Sequence, residues 1–423
     1  MISPIYKDKI AIVFSVDNNY INYLSVCLNS LKFHSSRNHF YDIVVLYEQL
    51  QEYKINKIIS IYEDNNFSIR FFKISEYIKN MRTYLYTCDH FSIANYYRIL
   101  IPNLLSDYNL AIYCDCDAIF FTDLANIYDI DLGYNLLACV LDIEVQRNHY
   151  SKDDYSKNIL FYLKNILKLN NPLKYFNSGF LIFNIEKCLK FDFASKSIDI
   201  LKQIKPRYVD QCIINKVAEN KVAFLDLKWN IENHIMSLYD INSLKLLFKD
   251  IFNKYLESYK DPYFLHFTGP WKPWSHPYLP YADCWWKYAR ETPFYEEILF
   301  DNISKFNQNH YKPYGAVDRI KNQLSYKIGK AIIKAKNPIK ALFLPLTIIY
   351  LYILHKIQMM MYNVLIRINP NIKLIPLEQY ADYNEMLKCK KYLFYRLGNA
   401  FIKNPLTFIF KIKKIYKEWK NGK

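Results

Sequence analysis

In the stretch IYCDCDAIFFTDL (Ile112–Leu124) two acids and two thiols alternate, Cys114, Asp115, Cys116 and Asp117, at the end of an apolar run. Successive side chains of an extended segment face opposite ways, so Asp115 and Asp117 project together and the thiols fall on the packed side. Two carboxylates on one side suit a hard divalent cation such as Mn²⁺ or Mg²⁺, with phosphate oxygens completing its shell. A D-x-D pair alone says little. The chain has another, Asp129-Ile-Asp131, in a loop-like acidic stretch that reads as solvated. Phosphatases of the haloacid dehalogenase type also end a strand in D-x-D-x-[TV]. Here Ile119 takes the last place of that pattern, and the later pair Asp153-Asp154 lies in a polar stretch, so that reading falls away.

A second stretch, HFTGPWKPW (His266–Trp274), is more specific. Alone, the apolar-flanked His266 fits a satisfied core histidine. Followed by Gly269, which permits close backbone approach, and by Lys272, it suits a metal-bound diphosphate. Pro270, Pro273, Trp271 and Trp274 stiffen the loop.

The elements that must hold these residues are apolar runs of strand length: Ile10–Val16, Tyr41–Leu46, Ser68–Lys73, Leu110–Cys114, Gly179–Asn184 and Val222–Leu225. Helical patterns at Asn22–Lys32, Asn56–Asp64 and Ser92–Leu100 fall between them. Such alternation predicts an α/β domain with a mainly parallel sheet. Ligands of these sheets sit at the carboxyl ends of strands, which places Asp17–Tyr20 and Asp115–Asp117 on one edge. There are only seven glycines in 423 residues, and no G-x-G-x-x-G or Walker A sequence, so a nucleotide must be held without a glycine-rich cradle. Three further spots have plain structural readings: an ion pair for Arg98, a first-turn cap for Asp210-Gln211, and a turn for Asn177-Ser178-Gly179.

Five ordered segments nevertheless carry a resemblance: SVDNNYINYL, SIANYYRILIPNLL, YCDCDAIFFTDL, YFNSGFLIFN with VDQCIIN, and HFTGPWKPW. Over Lys9 to Trp286 the chain resembles glycosyltransferase family 8, the retaining GT-A enzymes of bacterial lipopolysaccharide and lipooligosaccharide synthesis. The resemblance implies a Rossmann-like GT-A domain, a UDP-hexose donor carrying galactose or glucose, and Mn²⁺ or Mg²⁺. It implies that Asp17, Asn19 and Tyr20 contact the uridine, and that Asp115, Asp117 and His266 bind the metal. Arg98, Asp115, Asn177, Asp210 and Gln211 would surround the donor sugar, with Gln211 and Asp210 at the reacting centre. Gly269 and Lys272 would hold the diphosphate, Cys116 would lie beside the nucleotide, and His90 would lie near the acceptor. Asn18 departs from relatives that carry a second acid there. The implied acceptor is a lipid-linked oligosaccharide. A rival reading is a membrane-bound scaffold with a catalytically dead GT-A domain, against which the intact acids, His266 and Lys272 argue.

The charge is uneven. The net is +16, yet residues 301–423 carry 23 Lys and Arg against six Asp and Glu, leaving residues 1–300 near neutral. The boundary is expected near 290–320, giving a catalytic domain over 1–290 and a basic, aromatic helical region over 291–423. Within the latter, YKIGKAIIKAKNPI (326–339) is echoed by YRLGNAFIKNPL (395–406). A helix over Tyr326–Lys336 would put Ile328, Ala331, Ile332 and Ala335 on one side with lysines along its edges, as in a helix lying among lipid headgroups. The uncharged run Ala341–Leu354 reads as short for a transmembrane helix. No nucleic-acid motif accompanies the basic residues. The nine cysteines form no C-x-x-C pair and read as reduced, and KIAIVFSV near the start lacks a signal-peptide pattern. The expected location is cytoplasmic, on the inner face of the cell membrane.

Overall fold

The computed structural model describes residues 1–87, 92–238, 244, 249–310, 315–335, 341–368, 373–374 and 376–422. The chain divides into two compact units, 1–302 and 303–423. In the first, seven strands form a sheet in the order β3-β2-β1-β4-β7-β6-β8: β1 (Ile10–Ser15), β2 (Tyr41–Tyr47), β3 (Phe67–Lys73), β4 (Leu110–Cys114), β6 (Leu137–Leu141), β7 (Phe176–Asn184) and β8 (Val222–Phe224). A smaller sheet joins β5 (Ala118–Phe120), β10 (Phe264–His266) and β9 (Ile231–Glu232). The helices that frame the site are α1 (Ile21–His34), α2 (Glu52–Tyr62), α3 (Ile143–Tyr150), α4 (Val209–Val217) and α5 (Ala282–Arg290).

Strands β1 and β4 read as unbroken apolar runs because both sheet faces are covered. Ile10, Ile12 and Phe14 enter one core, while Ala11 and Val13 enter the other. Likewise Ile112 and Cys114 take one side, and Ala111 and Tyr113 the other. The sheet is mostly parallel, as expected from the alternation of strands and helices: β1 runs with β2 and β4, β2 with β3, and β6 with β8. The exception is β7, antiparallel to both its neighbours. It begins at Phe176, so Asn177-Ser178-Gly179 is strand and not a turn. Here the Asn177 side chain accepts from the Gly179 N–H (2.8 Å) within the strand itself. The segment expected as a helix over Ser92–Leu100 is a 3-10 helix, Ile93–Leu100, whose first turn Ser92 caps through the Ala94 N–H. The stretch at His266 starts as strand β10 before it becomes a loop, pairing β5 antiparallel and β9 parallel.

The second unit is helical: α6 (Ala316–Asn322), α7 (Leu324–Lys334), α8 (Leu344–Ile368), α9 (Tyr383–Lys390), α10 (Leu393–Lys403) and α11 (Phe408–Lys420). The two repeated stretches become α7 and α10, which cross at matched glycines. A Cβ on Gly329 would stand 1.6 Å from the Phe394 carbonyl oxygen, and one on Gly398 would stand 1.7 Å from that of Ser325. Only glycine allows backbones this close. The crossing covers Ile328, so the apolar side of α7 packs on a helix instead of facing outward. The uncharged run that seemed short extends into the 25 residues of α8, because Lys356 sits on one line of the helix and does not end it.

Candidate active site

At the carboxyl edge of the large sheet lies a cavity of about 350 Å³. Of the residues singled out from sequence, Asp17, Tyr20, Arg98, Asp115, Cys116, Asp117, Asn177, Asp210, Gln211, His266, Gly269 and Lys272 line it. Asn19 is exposed and does not line it. His90 lies outside the described residues.

Asp115 and Asp117 leave the end of β4 on the same side, and β10 brings His266 to meet them. The Nε2 of His266 is 3.1 Å from Asp117 Oδ1 and 3.7 Å from Asp115 Oδ2. Asn230 Oδ1 stands 3.2 Å from His266 Nδ1 and orients the ring with Nε2 towards the two acids. Asn230 in turn donates to Asn177 Oδ1 (2.9 Å). The ligand atoms of Asp115, Asp117 and His266 all lie within 4.8 Å of one another, and no other such group of acids, histidines or cysteines occurs among the described residues. Two carboxylates and one imidazole turned towards them fit Mn²⁺ or Mg²⁺. Gly179 makes room for this ring: a Cβ there would lie 2.2 Å from His266 Cε1.

Lys272 is buried and donates to Asp117 Oδ2 and to the Phe267 carbonyl, each at 2.5 Å. Burial works against the Asp117 charge, but Lys272 and His266 outweigh it and hold this carboxyl well below its ordinary value. Gly269, with φ at +76°, turns the chain between His266 and Lys272. Cys114 and Cys116 are buried in the core behind the acids, and desolvation pushes both thiols up. Tyr20 stands edge-on to Trp274 (6.0 Å), which stacks on Tyr23 at 3.7 Å, so an aromatic cluster backs this end of the cavity. Asp17 caps the turn into α1, its Oδ1 accepting from the Asn19 and Tyr20 N–H groups and its Oδ2 from the Ser92 hydroxyl.

Arg98 is 1 % exposed and organises the other end of the cavity. It donates to Asp115 Oδ1 (2.9 Å) and to the Ser178 carbonyl (2.6 Å), and its guanidinium lies 4.2 Å from the centre of the Tyr113 ring. Its Nε is 3.1 Å from Asp210 Oδ2 but aims its hydrogen at the Asn95 carbonyl. Asp210 Oδ2 therefore has a positive charge beside it and no hydrogen-bond donor. A buried acceptor left over in this way is free to receive a hydrogen bond from a bound ligand. Val209, just before it, has φ at +33°, a strained value for a β-branched residue, and it aims Asp210 and Gln211 inward from the first turn of α4.

Burial pushes the Asp210 carboxyl up to about 7, against the pull of Arg98 and with help from Asp115. Its folded value is raised, so the folded state holds this proton more tightly than the unfolded chain does. The resulting cost to stability sets in as pH rises above 3.8 and is complete above about 7. Asp210→Asn is expected to stabilise the ligand-free protein above neutrality by roughly 1–3 kcal/mol, part of the gain being lost with the Arg98 pairing. Thermal melts across pH check this: the gain fades as pH falls towards 3.8.

Gln211 is fixed at both ends of its amide. Oε1 accepts from the Ser178 N–H (3.0 Å), and Nε2 donates to Asp142 Oδ2 (3.0 Å). Asp142, which sequence reasoning missed, follows the apolar strand β6 just as Asp115 follows β4; that shared pattern was the available signal. Burial, with Glu144 adding to it, pushes its carboxyl up to about 6. Glu144, Glu232 and His234 line the same wall and were also missed. His234 bridges Glu144 Oε2 (2.5 Å) and the Thr268 hydroxyl, fastening the loop that carries Gly269. Nothing in the spacing of NIENHIMS marks it.

The chain is similar to several known proteins. Among relatives, general stress protein A of Bacillus subtilis is 29% identical over 220 residues, covering 50% of this chain and 70% of that protein. Lipopolysaccharide 1,3-galactosyltransferase of Salmonella typhimurium is 23% identical over 264 residues, covering 56% and 71%. Among solved structures, the bifunctional glycosyltransferase WbbM in its apo form superposes with a TM-score of 0.62 at 28% identity, covering 71% of this chain and 53% of that one. Galactosyltransferase LgtC, solved with donor and acceptor sugar analogs, gives 0.55 at 21%, covering 67% and 96%, and supports the GT-A fold. Residues 290–421 match a domain of unknown function. Residues 11–277 match glycosyl transferase family 8, and the chain belongs to that family.

Proposed function

We propose that this glycosyltransferase moves a hexose, galactose or glucose, from a UDP-sugar to a lipid-linked oligosaccharide, with retention at the anomeric carbon. The observation that carries the reading is the meeting in one cavity of Asp115, Asp117 and His266 with Lys272 on one side and Arg98 and Asp210 on the other. Mn²⁺ or Mg²⁺ held by Asp115, Asp117 and His266 supplies Lewis-acid stabilisation of the leaving diphosphate. Lys272 adds a point charge to the same oxygens. Tyr20, backed by the Tyr23–Trp274 stack, faces the base, and Asp210 Oδ2, short of a donor, accepts from a sugar hydroxyl. Arg98 holds Asp115 and Asp210 in register between the two ends.

Gln211 bears on the chemistry. Its carbonyl oxygen already accepts from the Ser178 N–H, and an amide is a poor nucleophile, which supports front-side attack with the leaving phosphate taking the acceptor's proton. Gln211→Ala is then expected to slow turnover far less than the roughly 10⁶-fold loss that follows removal of a covalent nucleophile. Trapping a glycosyl adduct on residue 211 or on Asp210 overturns the front-side route. The surplus of positive charge in residues 301–423 supports a working place at the cytoplasmic face of the cell membrane, where anionic headgroups and the acceptor's lipid lie. The reading as a whole is tested by screening UDP-sugars for hydrolysis and transfer with Mn²⁺ and with EDTA. Activity on no UDP-sugar, or activity indifferent to chelation, overturns it.

A further inference from the structure

One helix among the described residues is long and apolar enough to cross a membrane, and it is α8. At 25 residues it is about 37 Å long, and none of its apolar window is buried. Leu346, Ile357, Met361 and Leu365 are between 46% and 62% exposed. Lys356, Asn363 and Arg367, spaced by seven and four residues, fall on a single line away from Met361 and Leu365, with the exposed Ile349 and Met360 beside it. An apolar helix left this exposed needs another apolar phase.

The packing around α8 decides how it meets that phase. The segment before it and the segment after it are locked together. Gly329 of α7 crosses Gly398 of α10 in backbone contact. The Asp382 carboxylate, just ahead of α9, accepts from the N–H groups of Gly315, Ala316 and Val317 at 3.0, 3.0 and 2.9 Å, closing the start of α6. Tyr395 donates to Gln323 across the same pair of helices (3.2 Å). The chain therefore enters and leaves α8 on the same side of any bilayer, and α8 itself packs along α7. A single crossing would require residues 369–376 to return through the hydrocarbon. That return would lay bare backbone in a hydrocarbon layer about 30 Å thick, where its N–H and C=O groups find no partner.

We infer that α8 lies in the plane of an anionic bilayer, its Leu346–Met361–Leu365 side among the acyl chains and its Lys356–Asn363–Arg367 line at the headgroups. This rests on the reading that the chain works at a membrane face, and it names the element that enters it. Charge complementarity selects the partner: in the same unit α11 carries Lys411, Lys413, Lys414, Lys417 and Lys420, with Phe410 and Trp419 exposed. A helix embedded parallel to the surface holds on by apolar burial that salt does not screen, whereas the α11 lysines supply the screened part.

The test uses the full-length protein with phosphatidylcholine vesicles containing phosphatidylglycerol. Met361→Glu is expected to lower vesicle binding at high salt at least tenfold, and Asn363→Glu, the same charge on the other side, to leave it within about twofold. Equal effects of the two changes, or no effect of either, overturn the inference, as does a wild type that binds no vesicle. A membrane-impermeant maleimide added outside is expected to label both Ala341→Cys and Lys373→Cys. Protection of either until the vesicles are opened means α8 spans, and overturns the in-plane placement. If Met361→Glu instead converts a lipid-free dimer to a monomer while vesicle binding is unchanged, α8 is covered by a second copy and the inference fails. None of these readouts depends on sugar transfer, so glycosyltransferase activity is judged separately.

Discussion

Asp117→Asn is expected to lower transfer by at least about a thousandfold, which corresponds to some 4 kcal/mol of transition-state stabilisation lost with a metal site. The substitution removes one charge from a set in which Asp117 faces both His266 Nε2 (3.1 Å) and Lys272 Nζ (2.5 Å). The fold should survive with a modest drop in melting temperature, because Lys272 keeps the Phe267 carbonyl as acceptor. Asp115→Asn should be equally inactive for an additional reason, since Asp115 also receives Arg98. Near-normal turnover by either variant at saturating Mn²⁺ would remove this site from the reaction.

Gly179→Ala should be nearly as damaging, although it changes no charge and touches no substrate directly. Its Cβ would lie 2.2 Å from Cε1 and 2.4 Å from Nδ1 of His266, too close for the ring to remain. Strand β7 is fixed between β4 and β6, so the imidazole must give way, losing Asn230 and its alignment with Asp117. Turnover is expected to fall by about a hundredfold or more, together with Mn²⁺ affinity measured by paramagnetic resonance. Gly133→Ala is the control. Nothing lies within 4 Å of its added Cβ, and although φ is +53° the site is a remote turn. A Gly179→Ala protein that binds Mn²⁺ like the wild type would exclude His266 as a ligand.

The parts of the fold visible in the sequence are those where burial leaves a pattern. Strands β1 and β4 are apolar throughout because two cores flank them, and the acids just past them stood out for that reason. Strand direction leaves no such mark. The antiparallel run of β7 depends on partners far away in the chain, which is why Asn177 and Ser178 looked like a turn. In the site, Asp115, Asp117, His266 and Lys272 were legible because two short motifs contain them, whereas Arg98, Asp210 and Gln211 needed the family likeness. Asp142 was overlooked despite sharing its position after a strand with Asp115. Glu144 and His234 acquire meaning only when β9 and α3 bring them together. The amphipathic pattern of α7 was real, but a pattern does not name what covers it. The cover is α10, and the uncovered apolar helix is α8.

The contact between Lys272 and Asp117 also sets the order in which ligands gain affinity. Lys272 holds Asp117 Oδ2 while His266 faces Oδ1, so a divalent ion taken up by these residues would share the Asp117 carboxylate with the ammonium, and metal alone should bind weakly. A diphosphate offers the ammonium a better seat and releases Asp117, so each ligand raises the affinity of the other by the same factor. The donor and the ion then arrive as a thermodynamic pair. With no diphosphate present Lys272 neutralises Asp117, so chelation alone should leave the melting temperature of the protein unmoved.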